Sequence, residues 1–206
     1  MQILMPLFYL PPISWFSVFL QDDAEITLEQ FENFPKQTYR NRTIIYGANG
    51  RLPLIIPISH VGKRTLKDVE ISYRDKWPHL HWKSIKTAYQ TSAYFEYYED
   101  ALEQIFYCKK KNLFDFNLNA LEIIQKILKA EKKFSLSSEY FREPSALDLR
   151  TGFSAKDKES KGLQEYFQNF SDKYGFEENL SIIDLICNKG PESLTYIKNI
   201  PTNNLL

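Results

Sequence analysis

Residues 43–58, TIIYGANGRLPLIIPI, set two runs of β-branched and apolar residues on either side of Gly47-Ala48-Asn49-Gly50. Asn-Gly between such runs is the strongest short-range hairpin signal, because both residues tolerate the positive φ that a tight hairpin turn requires. Strands are therefore predicted over Thr43 to Tyr46 and Leu52 to Ile58, paired antiparallel. The fold class turns on where this hairpin goes. As part of one central mixed sheet it belongs to an α/β fold; as a separate small antiparallel sheet it makes the fold α+β.

The flanking sequence favours α/β. Ile3 to Phe8 is a short apolar run suited to a strand buried on both faces. Pro11-Pro12 ends it and presets the first turn of a helix over Ile13 to Leu20, with Ser14 as an alternative cap. Glu25 to Gln30 alternates like a half-buried strand, and Lys67 to Ile71 is expected to add a short one. Helical spacing follows over Trp82 to Tyr89 and over Tyr94 to Cys108, where Phe95, Tyr98, Leu102, Ile105 and Phe106 form one stripe. A helix over Asn119 to Ala130 and a strand over Phe134 to Ser138 come next. Alternation of this kind predicts helices packed on a mostly parallel or mixed sheet.

Residues 142–162 carry many charges and few large apolar groups, which predicts an exposed linker or mobile loop. Beyond it, helices are expected over Leu163 to Lys173 and Ser181 to Asn188, the second stopped by Gly190-Pro191. Residues 1–200 read as a single domain and 201–206 as a frayed tail, since 206 residues suffice for one well-buried core.

Composition narrows the function classes. Lys+Arg and Asp+Glu are 26 each, so no global field draws nucleic acid or an anionic membrane, and any basic site is local. Cys108 and Cys187 are far apart and read as reduced thiols. The apolar start lacks a basic leader and a cleavage site, and Pro6, Pro11 and Pro12 interrupt it short of a membrane span. A cytoplasmic protein is expected. Walker, GxSxG, GxGxxG and CxxC motifs are absent from the sequence.

Three polar constellations remain. In Lys36-Gln37-Thr38-Tyr39-Arg40-Asn41-Arg42, an extended backbone places both arginines on one face, where guanidinium forks suit a phosphate or carboxylate. The alternative is internal: the cations pair with Glu29, Glu32 and the neighbouring carboxamides to tie down a loop. In Trp77-Pro78-His79-Leu80-His81-Trp82, a His-x-His pair lacks a third ligand, His60 having no spacing partner, so no metal is expected. His81 reads either as a general acid/base or as a satisfied interior histidine. Asp184 and Asn188, four apart in an apolar helix, need either a core network or a ligand. Ser181 and Asp184 also fit a helix cap with a capping-box-like carboxylate.

Taken in order, YLPPISWF (9–16), ENFPKQTYRNRTIIYGANGRLPLIIPI (32–58), WPHLHWKSIKTAYQTSAYFEYYED (77–100) and NLSIIDLICNKGPESL (179–194) resemble the WbqC-like protein family, of which this looks like a short member. Longer members open with Gln-Pro-Asn-Tyr-Leu-Pro, where this chain has Pro6 to Pro11. The resemblance implies a transferase of surface-polysaccharide (O-antigen) or cell-envelope biosynthesis, moving an amino-acid or acyl group to a sugar. The alternative is a non-catalytic ligand-binding or partner protein of glycan-assembly enzymes. It implies a small anionic substrate and no cofactor, and a site gathered beside one edge of the sheet. His81 and Asp184 would be its catalytic groups. Tyr9, Glu32, Asn33, Lys36, Gln37, Tyr39, Arg40, Asn41, Arg42 and Asn188 would bind the ligand.

Overall fold

The computed structural model describes residues 1–59, 65–155 and 162–202. Strand β1 (Gln2–Pro6) leads through a proline turn into α1 (Ile13–Phe19), and β2 (Glu25–Glu29) returns beside β1 in parallel, from Gln2↔Glu25 to Pro6↔Glu29. Strand β5 (Phe134–Leu136) pairs with β2, and β6 (Leu147–Asp148) pairs with β1, both parallel, giving the order β5-β2-β1-β6. The fold is single-domain α/β.

The hairpin forms a two-stranded ladder of its own, the feature expected of the α+β alternative, so the central sheet is parallel rather than mixed; the class remains α/β because all four of its strands run parallel and helices connect β1 to β2 and β2 to β5. Strands β3 (Arg42–Gly47) and β4 (Gly50–Ile55) pair antiparallel from Arg42↔Ile55 to Gly47↔Gly50, and Gly50 takes the positive φ of +92°. One side of β3 is occupied by the C-terminal region, where Ser181 donates its backbone N–H to Ile44 at 2.8 Å. On β4, Pro53 has no N–H to give, which suits a strand ending a sheet. The β3 edge, so occupied, is not free to extend the parallel sheet.

All seven residues of α1 are buried. Helix α1 packs on the face that carries Ile26 and Phe134, with Phe19 and Phe134 rings 5.9 Å apart and Trp15 stacked on Phe19 at 4.7 Å. Pro12 precedes the first turn as expected, and in place of the alternative cap by Ser14 the turn is capped from afar: Asn179 Oδ1 accepts from the Ser14 N–H at 2.9 Å. Before it, Leu10 holds φ +43° while fully buried. This uncommon conformation for a non-glycine residue is held by Thr43 Oγ1 and Ser181 Oγ, which donate to the Leu10 carbonyl at 2.8 and 3.1 Å.

Helices α2 (Trp77–Tyr89), α3 (Phe95–Tyr107) and α4 (Leu113–Leu128) pack in succession, α2 also against β3. The first and last begin earlier than periodicity suggests; Pro78 fits the first turn of α2, where its missing N–H costs nothing. The expected strand over Lys67 to Ile71 is instead a 3₁₀ turn, Leu66–Asp68, followed by single bridges at Glu70 and Ile71. The expected linker contains β6 and the buried Leu149 and Arg150, while its residues 156–161 lie outside the described residues. The predicted helix over Leu163 to Lys173 is absent apart from the short α5 (Ser171–Tyr174). Gln168 clamps that path open by exchanging hydrogen bonds with the Glu177 backbone at 3.0 and 2.9 Å. Helices α6 (Ile182–Lys189) and α7 (Ser193–Lys198) pack on α1. Of the expected frayed tail, Thr202 is held by Gln21 at 2.5 Å, and 203–206 lie outside the described residues.

Candidate functional site at the carboxyl ends of the strands

From β1 the chain moves outward to β2 and then β5, and β6 lies on the other flank of β1. Strand order therefore reverses beside β1, and in open α/β sheets such a reversal leaves a crevice outside the carboxyl ends of the strands. A cavity of about 540 Å³ lies there, lined by the loops that follow β2, β5 and β6, with Glu32, Lys36, Arg40, Tyr140, Arg150 and Phe153 among its walls.

Its floor is an ionic network. Arg40, 3% exposed, binds Glu32 through both prongs of its fork, Nε to Oε1 at 2.5 Å and Nη2 to Oε2 at 2.7 Å, and Nη2 also donates to the Arg150 carbonyl at 2.9 Å. Burial raises the Glu32 carboxyl above its usual range, while the hydrogen bond and charge of Arg40 pull the other way. Arg150 holds Asp148 bidentately at 2.6–3.1 Å, lowering that carboxyl, and its guanidinium lies 4.8 Å from the Tyr140 ring centroid. Glu29, fully buried at the end of β2, accepts from the Phe31 N–H at 2.7 Å and from Ser137 Oγ at 2.9 Å. Its Oε2 and Arg150 Nη1 face each other at 3.6 Å, beyond hydrogen-bond length.

On the rim, Asn33, Lys36 and Gln37 are exposed, Gln37 at φ +60°. Lys36 makes no ion pair among the described residues, so it is the cavity's available cation, whereas both guanidiniums already hold carboxylates. Phe31, Tyr140 and Phe153 supply apolar wall.

The other expected site residues lie elsewhere. Tyr39 is buried against Phe8. Asn41 ties down the end of β4, with Nδ2 to the Ile56 carbonyl at 2.9 Å. Arg42 opens β3 opposite Ile55 with its Nε buried and without a partner, and does not line the cavity. Tyr9 and His81 form a separate buried pair, Oη to Nδ1 at 2.9 Å with stacked rings. Burial takes the His81 imidazole down to about 4, opposed by the Ile55 carbonyl, and pushes the Tyr9 phenol well above its usual range. Both groups are thus neutral, and the imidazole tautomer sets which of them donates. His79 is exposed.

Asp184 and Asn188 sit on α6 in a third place. Asp184 is fully buried; Oδ2 accepts from Tyr166 Oη at 2.5 Å and Gln168 Nε2 at 2.9 Å, and Asn188 Nδ2 donates to the Asp184 carbonyl at 2.8 Å. Burial raises this carboxyl to about 6 against the opposing pull of Tyr166, Gln168 and Tyr89. Oδ1 is buried and makes no hydrogen bond among the described residues. Of the expected capping box, Ser181 does cap α6, but the Asp184 carboxylate turns to Tyr166 and Gln168. The structure thus brings Glu32, Asn33, Lys36, Gln37 and Arg40 to one cavity and leaves His81 and Asp184 off its walls.

Arg150, Asp148, Glu29, Ser137 and Tyr140 escaped the sequence reading as a group. The alternation Leu147-Asp148-Leu149-Arg150 is a period-2 signal inside the polar stretch and marks the strand that carries Asp148, with Arg150 just beyond its end. Among the described residues, no group of three His, Cys, Asp or Glu side chains could hold a metal ion, and no helix is long and apolar enough to cross a membrane.

Comparison with known proteins adds one finding. A family model described as the WbqC-like protein family matches residues 8–157, from the end of β1 through the loop after β6, so the match covers all the cavity's walls and stops short of α6. No curated protein and no solved structure matches the chain. On a match across most of its length, the chain belongs to the WbqC-like protein family.

Proposed function

We propose that the chain binds a small polar molecule with an anionic group in the cavity at the carboxyl ends of the sheet, as a transferase of surface-polysaccharide or cell-envelope assembly that moves an amino-acid or acyl group to a sugar. The observation that supports binding is the position of this cavity at the reversal of strand order, with a rim lysine, Lys36, that makes no ion pair among the described residues. Lys36 takes the phosphate or carboxylate of the donor. Arg40 and Arg150, held by their own carboxylates, fix the shape of the floor. Asn33 and Gln37 bind hydroxyl or amide groups, and the rings of Phe31 and Phe153 cover apolar parts of the ligand. The transfer itself rests on family resemblance.

A second reading has its own support. Neither His81 nor Asp184 lines the cavity, and both have partners inside the core. This favours a ligand-binding protein that serves glycan-assembly enzymes without reacting. One experiment separates the two: purified protein is incubated with nucleotide sugars and activated amino-acid or acyl donors, with binding followed calorimetrically and products by mass. Binding that Lys36→Ala weakens, with product formed, supports the transferase. The same binding without product supports the second reading, and no binding of any anionic compound overturns both.

A further inference from the structure

Parallel sheets are ordinarily covered by helices on both faces. Here the strand register puts Gln2 beside Glu25, Leu4 beside Thr27 and Thr27 beside Ser135, all on the face opposite Ile26 and Phe134. That face is polar where the other is apolar. The covering it has is the strap after β5, which leaves a cavity of about 280 Å³ between the strands and Phe141, Pro144 and Ser145. Gln2 donates to Glu25 at 3.2 Å, and the Thr27 and Ser135 hydroxyls are 2.9 Å apart. Phe141 is 37% exposed, and Gln2, Glu25, Ser135 and Ser145 are also open to solvent.

We propose that this face is a saccharide-binding subsite and takes a neutral sugar, the acceptor, next to the cavity read above as the donor site. An amide, a carboxylate and several hydroxyls each offer donors or acceptors on a flat strand surface. Side chains on this one face repeat about 6.6 Å along and 4.8 Å across the strands, a spread comparable to the outline of one sugar ring with its hydroxyls. Phe141 supplies an apolar surface for the C–H face of a sugar ring. Among the described residues Glu25 is the one charged group lining the cavity, so an anion is disfavoured there. The same wall offers little to a second protein chain: Leu4 is its large apolar residue on the strands and is 2% exposed, whereas protein interfaces need an apolar core. The strap after β5 contributes to both cavities, Tyr140 lining one and Phe141 the other.

The inference rests on the donor reading of the larger cavity, and its test keeps the two apart. Neutral disaccharides at millimolar concentration are screened by saturation-transfer NMR against the full chain, with uridine diphosphate sugars as anionic probes. At least one neutral disaccharide is expected to bind, and Thr27→Val and Phe141→Ala each to weaken it by roughly three- to tenfold, the scale of one lost contact, at an unchanged melting temperature. Lys36→Ala is expected to leave this binding alone and to weaken the anionic probe. If no neutral sugar binds, or binding ignores both face variants, the subsite is overturned whatever Lys36→Ala does. Concentration-dependent dimerisation abolished by Phe141→Ala would overturn it in favour of a protein contact. Sugar binding at the face without Lys36-dependent anion binding would keep the subsite and discard the donor reading.

Discussion

Replacing Arg40 tests whether the polar run of residues 36–42 was selected for a ligand or for the fold. The guanidinium is 3% exposed and saturates both oxygens of Glu32, whose side chain is 9% exposed. Arg40→Ala therefore strands a buried carboxylate, a loss of about 3–5 kcal/mol. For a chain of this size that corresponds to roughly 6–20 °C in melting temperature. Arg40→Lys keeps the charge but loses the fork and the bond to the Arg150 carbonyl, and is expected to cost about 1.5–3 kcal/mol, one charge-assisted hydrogen bond. Acid should reduce the alanine variant's loss of stability. Burial already raises Glu32 above its usual range, and without Arg40 it rises further, so protonation relieves the stranded charge as pH falls. The double variant Glu32→Leu/Arg40→Met should recover most of the loss. Thermal and urea melts between pH 5 and 8 read all four proteins. A loss below about 1 kcal/mol for Arg40→Ala, the ceiling for an exposed pair, would refute the reasoning.

The remaining predictions concern the core. His81, lowered to about 4, binds its proton more readily unfolded, so its contribution to stability is lost as pH falls from about 6.5 to 4. Asp184, raised to about 6, binds its proton more readily folded, so it adds stability as pH falls over nearly the same window. Each effect amounts to about 3 kcal/mol and they oppose; Asp184→Asn should therefore expose a steep acid loss that the native chain masks, seen in denaturant melts against pH. Tyr9→Phe leaves His81 Nδ1 without its partner and is expected to cost about 1–3 kcal/mol, while NMR titration of native His81 should show it neutral down to pH 5. Gly190→Ala combines φ +53° with a Cβ only 2.4 Å from the Tyr94 ring, and a melting temperature equal to the native one would contradict this packing.

Locally encoded parts of the molecule were legible and long-range ones were not. The hairpin turn, α1 and the stripe on α3 follow from a few neighbouring residues. Strand β6 consists of two residues whose identity as a strand depends on β1, far away in sequence. The apolar spacing of Tyr166, Phe167 and Phe170 reads as helical. It loses to hydrogen bonds that Tyr166 and Gln168 make with Asp184 and Glu177, partners no local window contains. The site divided the same way. The Glu32 to Arg40 wall was visible as polarity without an excess of charge, while Arg150 and Glu29 became meaningful when two distant strand ends met. His81 and Asp184 were conspicuous for being polar in apolar segments, and burial rather than exposure to the cavity accounts for both.

The strand order also constrains how the chain is made. During synthesis the N-terminal half emerges first, with β1, β2 and the hairpin available to pair almost at once, since their partners are close in sequence. Strands β5 and β6 pair across separations of 108 and 144 residues, Ile26 with Phe134 and Ile3 with Leu147, and such contacts form late. A nascent chain that ends before Arg150 has Glu29 and the open edges of β1 and β2 waiting in the cell without their final partners. The cavity at the carboxyl ends, whose walls come from both halves, is then among the last features to be completed, and a ribosome-bound intermediate of this protein has a sheet before it has that cavity.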